Sequence, residues 1–192
     1  MESTKIMICG KLFDGIHDEL YSDMEILVEG NVIMKVGKNI SRPTVVEVID
    51  LSHLTVTPGM IDAHIHSDIF RWQDIYNVMM CSETWNNLGH LHTAQRTLER
   101  GFTTIRCHAL ADPGFGIVDV KKAIQAGYFI GSRMSVACHM LGTPGSHADY
   151  TQSFAANPTL ARAAQRPHIG SGADFFRNAV REEIKYGGDF IK

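Results

Sequence analysis

Hydrophobic and polar positions in the first part of the chain follow the pattern of short β-strands. Apolar runs are separated by glycine, asparagine and charged residues, and they lie at 6–9, 24–28, 32–36, 45–49 and 54–57. Between the second and third runs stands Glu29-Gly30-Asn31, where glycine favours a tight hairpin turn. Because no helical period interrupts this stretch, the pattern predicts a small all-β module over residues 1–57.

From Pro58 onwards the pattern changes to strands that alternate with helices. The predicted strands lie at 60–66, 102–107, 133–139 and 189–192, and the predicted helices at 84–100, 117–126 and 173–186. Such alternation is typical of parallel strands joined by right-handed crossovers, so the fold class is α/β. A (β/α)₈ barrel takes about 250 residues, and residues 58–192 are too few. Either the sheet is open and small, or these residues form half of a barrel in a longer chain, which we favour.

Composition excludes several classes of protein. The net charge of -3 argues against a nucleic-acid partner, since no basic stripe is present to neutralise phosphates. No apolar run reaches the roughly 18 residues that span a bilayer, and the first residues do not resemble a signal peptide. The four cysteines are scattered without a C-x-x-C pair, which is typical of reduced thiols. We therefore expect a cytoplasmic protein with no membrane partner.

His64 and His66 are the first candidates for chemistry. They are two residues apart on a predicted strand, so both imidazoles project from one face, which Asp62 shares. Two neutral imidazoles at this spacing suit one divalent ion, typically zinc. The alternative is that a His-x-His pair on an exposed strand binds nothing. In a barrel, the polar face of this strand would point inward near the end where active sites lie.

The residues around this pair resemble the amidohydrolase superfamily. Thr57-Pro58-Gly59-Met60-Ile61-Asp62-Ala63-His64-Ile65-His66 is similar to the "PGxIDxHxH" signature of that family's first barrel strand. The resemblance extends to Gly101-Phe102-Thr103-Thr104-Ile105-Arg106 and to Gly187-Gly188-Asp189-Phe190-Ile191-Lys192. It favours the subgroup of prolidase-like, imidazolonepropionase-like and ochratoxin-hydrolysing proteins. It implies a β-sandwich module at 1–57, completed by the other chain end, and the first half of a metal-binding (β/α)₈ TIM barrel at 58–192.

The resemblance also implies roles for single residues. Lys192 corresponds to a lysine that CO₂ carboxylates, so that it bridges two metal ions, expected here to be Zn²⁺. His64 and His66 correspond to metal ligands. His147 lies in a long connection at 140–172 and matches a histidine beside the substrate, so its expected role is catalytic: to polarise the scissile carbonyl. His108 and His139, at strand ends, are expected to pack beside the site and not to bind the metal.

The implied function is hydrolysis of an amide or peptide C–N bond by a metal-bound hydroxide. The expected partner is a small-molecule amide, a dipeptide-like substrate or an N-acyl amino acid, and the expected assembly is a homo-oligomer. Three alternatives stay open: a mononuclear deaminase, a cyclic-amide hydrolase, and a non-catalytic assembly relative. The remaining ligands and the acid–base carboxylate are expected beyond Lys192, so residues 1–192 alone are expected to be inactive. The family's second strand often ends in Arg-Asp, whereas here Cys107 and His108 follow Arg106, which indicates a different substrate rim.

Overall fold

The computed structural model describes residues 3–67, 81–108, 114–154 and 156–192. The chain divides into two compact units, Met1–Pro58 and Gly59–Lys192. The first unit contains one four-stranded sheet of β1 (Thr4–Leu12), β2 (Tyr21–Glu29), β3 (Val32–Gly37) and β4 (Glu47–Val56). Their order is β3-β2-β1-β4, in which β1 and β4 are parallel and the other pairs antiparallel. The predicted hairpin is confirmed, with Gly30 at a φ of 60° in its turn.

The strands predicted at 45–49 and 54–57 form the single strand β4, so their separation was wrong. The polar segment Asp50–His53 has the composition of a turn, and the Asp50 carboxylate does accept the N–H of Ser52. Pairing with β1 nevertheless keeps this backbone extended, and a register shift between Cys9 and Lys11 takes up the irregularity. Tertiary pairing here outweighs local propensity.

The buried apolar cluster of the first unit is small. Cys9, Leu12 and Ile26 are buried together, and partly buried neighbours pack around them. Other apolar side chains of this sheet are about half exposed, among them Val32 and Met34 of β3. A second layer, as in the sandwich implied by the resemblance, would cover such side chains. That layer stays a prediction, because the described residues of this unit form one sheet.

The second unit alternates strands and helices. Its elements are β5 (Met60–Ile65), α1 (Glu83–Glu99), β6 (Phe102–His108), α2 (Gly116–Gln125), β7 (Arg133–Ala137), α3 (Pro158–Ala163) and α4 (Ala173–Tyr186). The three strands form a parallel sheet in the order β5-β6-β7, which confirms the α/β class. In the part of the chain that the structure describes, no helix is long and apolar enough to cross a membrane.

The two faces of the parallel sheet differ in polarity. Ile105 and Cys107 of β6 are fully buried, and they share one apolar cluster with Val136 of β7 and with Ile117 and Val118 of α2. Alternate residues of β6 project from the opposite face, because side chains of a strand alternate. Arg106 and His108 therefore lie on the face that the helices do not cover.

The segment 189–192 is not a regular fourth strand, contrary to the prediction. Two backbone hydrogen bonds link it to β7 and its extension, Asp189 N–H to Val136 O at 2.7 Å and Leu141 N–H to Lys192 O at 3.0 Å. The segment lies alongside β7 without a full ladder. The connection at 140–172 also contains structure that the sequence pattern did not predict, namely a 3₁₀ turn at Tyr150–Phe154 and the short helix α3.

Gly59 and Gly187 are required by their surroundings. A Cβ atom on Gly59 would lie 2.1 Å from the Thr103 side chain, so β5 can pack against β6 only with glycine there. Gly187 ends α4 with a φ of 104°, a left-handed conformation that side chains other than glycine rarely adopt.

The segment before Lys192 is held by a charged pair. Lys121 Nζ lies 2.9 Å from Asp189 Oδ1 and 2.9 Å from the carbonyl of Gly187, and the Val136 N–H donates to Asp189 Oδ2 at 2.8 Å. The Lys121 side chain is only 9% exposed, whereas that of Asp189 is 40% exposed. The pair therefore fixes where the chain leaves α4.

We expect Asp189→Ala to lower the free energy of unfolding of the full-length protein by about 2–3 kcal/mol. Removing one partner of a fully buried pair costs roughly 3–5 kcal/mol, and the exposure of Asp189 reduces that value. Urea denaturation measures it. Asp119→Ala is the control, because its pair with Lys122 is exposed and 3.8 Å long, and its effect should stay within about 0.5 kcal/mol. Equal effects of the two changes would contradict the stabilising role of the Lys121–Asp189 pair.

All four cysteines are free thiols, and Cys9, Cys107 and Cys138 are buried whereas Cys81 is exposed. Burial, together with the nearby Glu183 carboxylate, raises the pKa of Cys138 to about 12. Since the thiolate is the reactive form, we expect Cys138 of the folded protein to resist a maleimide at pH 8 and to react after unfolding in urea. Peptide mass spectrometry reads the site of labelling, and rapid labelling of Cys138 in the native protein would be the contrary result.

Candidate metal centre

The parallel strand β5 brings the two predicted histidines together. His64 lies near its end and His66 directly follows it, and their Nε2 atoms are 3.3 Å apart. His64 is exposed and His66 is half-buried. Asp62 does not join them through its carboxylate, because its Oδ1 accepts the backbone N–H of His64 at 3.0 Å. The two imidazoles therefore form the pair that the His-x-His spacing predicts.

Lys192 reaches the same place from a distant part of the chain. Its Nζ lies 3.4 Å from Nε2 of His66. Its backbone carbonyl accepts the N–H of Leu141, which ties it to the end of β7. Lys192 and His66 are 126 positions apart in sequence, so the fold, not local spacing, creates this contact.

The three nitrogens suit a divalent ion. Two nitrogens each about 2.05 Å from one tetrahedral zinc lie about 3.3 Å from each other, which matches the separation of the His64 and His66 Nε2 atoms. A lysine amine becomes an oxygen ligand when it reacts with CO₂. The donor set therefore fits a zinc-type ion held by imidazoles, with Lys192 beside it.

His108 supports His64 from the neighbouring strand. The rings of His64 and His108 stack with centroids 4.0 Å apart, and Phe190 packs edge-on against His108 at 4.8 Å. Arg106 lies 3.8 Å above the Phe190 ring and 3.5 Å from His108 Nε2. Burial lowers the pKa of His108 to about 4, and His64 contributes in the same direction. His108 is therefore neutral at pH 7 and keeps the His64 ring in place, which agrees with the packing role expected for it.

His147 is not brought to this cluster. It is exposed in the connection between β7 and α4. Within the described ranges, no hydrogen bond or ring contact links His147 to His64, His66 or Lys192. Its expected catalytic role stays a prediction.

His139 lies in a different environment from His108. Its Nδ1 donates to Glu183 Oε1 at 2.5 Å, and its ring stacks on His168 with centroids 3.6 Å apart. Burial lowers the pKa of His168 to about 4, and neighbouring His139 adds to the effect. Sequence reasoning did not single out His168 or Glu183. Their positions are far from His139 along the chain, and no spacing pattern connects the three.

The second unit is thus an α/β unit with imidazole and amine nitrogens clustered at the end of a parallel strand. The model of the amidohydrolase family matches residues 55–192. The chain belongs to the amidohydrolase family.

Curated relatives match only a short segment of the chain. A dihydroorotase from Geobacter metallireducens is 46% identical over 43 residues, which is 22% of this chain and 10% of that protein. A dihydroorotase from Geobacter sulfurreducens is 44% identical over 43 residues, with the same coverage. The matched segment thus spans about a tenth of the length of these relatives.

Solved structures match nearly the whole chain. A Xaa-Pro dipeptidase with methionine bound in its active site has a TM-score of 0.81 at 27% identity, and the match covers 98% of this chain and 46% of that one. An amidohydrolase has a TM-score of 0.79 at 29% identity, with the same coverage. Ochratoxinase from A. niger has a TM-score of 0.75 at 21% identity, and the match covers 100% of this chain and 46% of that one. At this identity the match shows similarity of fold alone. The chain spans less than half the length of these structures.

Proposed function

We propose that this protein is a metal-dependent hydrolase that cleaves an amide or peptide C–N bond of a small molecule. The observation that carries the proposal is the approach of Lys192 Nζ to His66 Nε2, beside the His64–His66 pair. Three side-chain nitrogens from two distant parts of the chain thus lie together at the end of a parallel strand. Membership of the amidohydrolase family supports the same reading.

The proposed cofactor is Zn²⁺, with two ions and with Lys192 carboxylated by CO₂. His64 and His66 would be ligands through Nε2, and the carbamate of Lys192 would offer two oxygens. The ions would supply Lewis acidity towards a carbonyl oxygen and would activate a water molecule. Family membership supports the presence of a metal ion in general. That the ion is zinc, and that Lys192 is carboxylated, are proposals.

The chain's own residues would orient the site. His108, kept neutral by burial, would hold the His64 ring through the stacked contact. Phe190 would shield the His108 imidazole from water, and Arg106 would cover Phe190. We propose that His147 donates an imidazole N–H to the substrate carbonyl oxygen.

A dipeptide-like or N-acyl amino acid is the proposed substrate. The similarity to a Xaa-Pro dipeptidase, over 98% of this chain at 27% identity, supports this class. A second candidate is the hydrolysis of a cyclic amide, because the curated relatives with matching segments are dihydroorotases. Those matches are short, so we prefer the linear amide.

The same resemblance supports an architectural proposal. We propose that the parallel sheet of Gly59–Lys192 is the first half of a (β/α)₈ barrel, and that the sheet of the first unit is one layer of a β-sandwich. Association into a homo-oligomer is part of the proposal and is read by analytical ultracentrifugation of the full-length protein. A cytoplasmic location stays a prediction.

A substrate panel tests the function. The full-length protein, loaded with Zn²⁺ in bicarbonate buffer, is given Xaa-Pro dipeptides, N-acyl amino acids and dihydroorotate, and release of amine or ring opening is followed by mass spectrometry. We expect turnover of a linear amide, and loss of that turnover after treatment with a chelator. Preferential opening of dihydroorotate would favour the second candidate. The absence of both activities would contradict the proposed hydrolase.

A further inference from the structure

A second group of potential ligands lies where the end of β7, the connection at 140–172 and α4 meet. His139 follows β7, His168 lies near the end of the connection, and Glu183 belongs to α4. One ligand atom from each of the three lies within 4.8 Å of the others. Phe115, directly before α2, packs edge-on against His139 at 4.6 Å. The group therefore lies in contact with the residue before α2 and with α4 itself.

Burial separates this group from surface polar side chains. The exposed fractions of His139, His168 and Glu183 are 3%, 7% and 1%. Three segments that are distant in sequence thus deliver two imidazoles and a carboxylate into one enclosed volume. Histidine and glutamate are rarely fully buried without a partner, because desolvation of such polar groups is unfavourable.

Glu183 fixes which nitrogen of His139 carries the proton. Its Oε1 accepts from His139 Nδ1, and its Oε2 accepts the backbone N–H groups of Cys138 at 3.0 Å and His139 at 3.2 Å. A carboxylate only accepts, so the proton lies on Nδ1 and the lone pair of Nε2 is available. Carboxylates hold metal-binding histidines in this way from behind.

The Nε2 atoms of both histidines lack a hydrogen-bond partner. Within the described residues, neither His139 Nε2 nor His168 Nε2 contacts a donor or acceptor, although both atoms are buried. Leaving a buried polar atom unsatisfied costs roughly 1–3 kcal/mol. The two rings stack with centroids 3.6 Å apart, so the two unpartnered nitrogens belong to adjacent rings, and one ligand atom from each of His139, His168 and Glu183 lies within 4.8 Å of the others.

We propose that His139, His168 and Glu183 form a site for one divalent transition-metal ion of the zinc class, separate from the His64–His66–Lys192 cluster. The Nε2 atoms of the two histidines bind the ion, and Glu183 orients His139 and supplies negative charge. Imidazole nitrogens are ligands that zinc accepts, and a carboxylate that is hydrogen-bonded behind one of them is a common arrangement in metal sites. Calcium and magnesium prefer oxygen ligands and do not suit it.

The position of the site gives it a structural role. The connection is joined to the extension of β7 by the Gly142 N–H, which donates to the His168 carbonyl at 3.2 Å, and by the Gly170 N–H, which donates to the Gly142 carbonyl at 3.0 Å. An ion between His139 and His168 adds a crosslink at the same place. It ties both ends of the connection that carries His147 to the sheet.

Zinc stoichiometry tests this proposal without any activity assay. A full-length H64N/H66N/K192A variant lacks three donors of the first cluster, so the zinc that it loses on a further change at His168 reports on the second site. The variant is equilibrated with zinc sulfate, freed of unbound metal by gel filtration, and analysed by inductively coupled plasma mass spectrometry. We expect one zinc per chain, loss of that zinc when His168→Gln is added, and an affinity about 10–100-fold weaker with Glu183→Gln.

The control is His53→Gln in the same background, since His53 is exposed and belongs to the first unit. It should leave the stoichiometry unchanged. Circular dichroism reports whether each variant folds. A folded H64N/H66N/K192A protein without zinc would overturn the proposal, even if the His168 variant fails to fold. So would an unchanged zinc content in a folded protein that carries His168→Gln, because His168 would then not be a ligand.

Discussion

Replacing both His64 and His66 with asparagine is expected to lower kcat/KM for amide hydrolysis by the full-length protein by at least about 1,000-fold. The reason is loss of the metal, whose stabilisation of transition-state charge is worth several kcal/mol, and each 1.36 kcal/mol is a factor of ten in rate. The separation of 3.3 Å between their Nε2 atoms is the basis of this expectation. The measurement is steady-state kinetics on the preferred substrate, together with zinc content.

Folding should change little in this double variant. His64 is exposed and His66 is half-buried, so asparagine at these positions removes donors without opening a buried cavity. His53→Asn is the matched control and should keep wild-type kcat/KM. Activity within about tenfold of wild type in the double variant would remove these histidines from the proposed mechanism.

Replacing Lys192 with alanine is the change with the second largest expected effect. We expect kcat/KM to fall by at least about 100-fold and the zinc content of the first cluster to fall, because the bridging oxygens are lost. Metal-free wild-type protein that is reloaded with zinc should recover more activity in bicarbonate buffer than in CO₂-free buffer. The Lys192→Ala protein should show no such response to bicarbonate.

Lys122→Ala provides the control for this experiment, because the Lys122 side chain is 65% exposed. It should retain both the activity and the response to bicarbonate. A wild-type protein whose recovery does not depend on bicarbonate would indicate that Lys192 acts as a plain amine. That result would leave the proposed metal ligation by His64 and His66 in place and would contradict the proposed carboxylation of Lys192.

The sequence pattern predicted the elements of this fold better than their edges. Alternation of strand and helix periods predicted α1, α2 and α4 closely, and each of them ends near a glycine, although the predicted inward position of Ile184 in α4 was wrong because its side chain is 62% exposed. β4 was predicted as two strands, since the polar Asp50–His53 segment resembles a turn and only pairing with β1 keeps it extended. The short helix α3 has no buried residues, so its sequence has no apolar periodicity from which a helix could be predicted.

The two groups of ligands differ in how far sequence could predict them. His64 and His66 are two apart on one strand, so local geometry places them together, and a family resemblance pointed to Lys192. His139, His168 and Glu183 meet only because β7, the connection and α4 pack against one another. Neither spacing nor the resemblance connects them, so only a three-dimensional structure can associate them. The role of His147 rests on the family resemblance alone, because no contact of the described residues links it to the His64–His66–Lys192 cluster.

Anomalous diffraction at the zinc edge, from crystals of the full-length protein, tests the central claim most directly. We expect a peak beside the Nε2 atoms of His64 and His66 and near the side chain of Lys192, with extra density on Nζ for the carbamate. Zinc-loaded crystals with no anomalous peak at these three residues would contradict the proposed metal centre, whatever activity the protein displays.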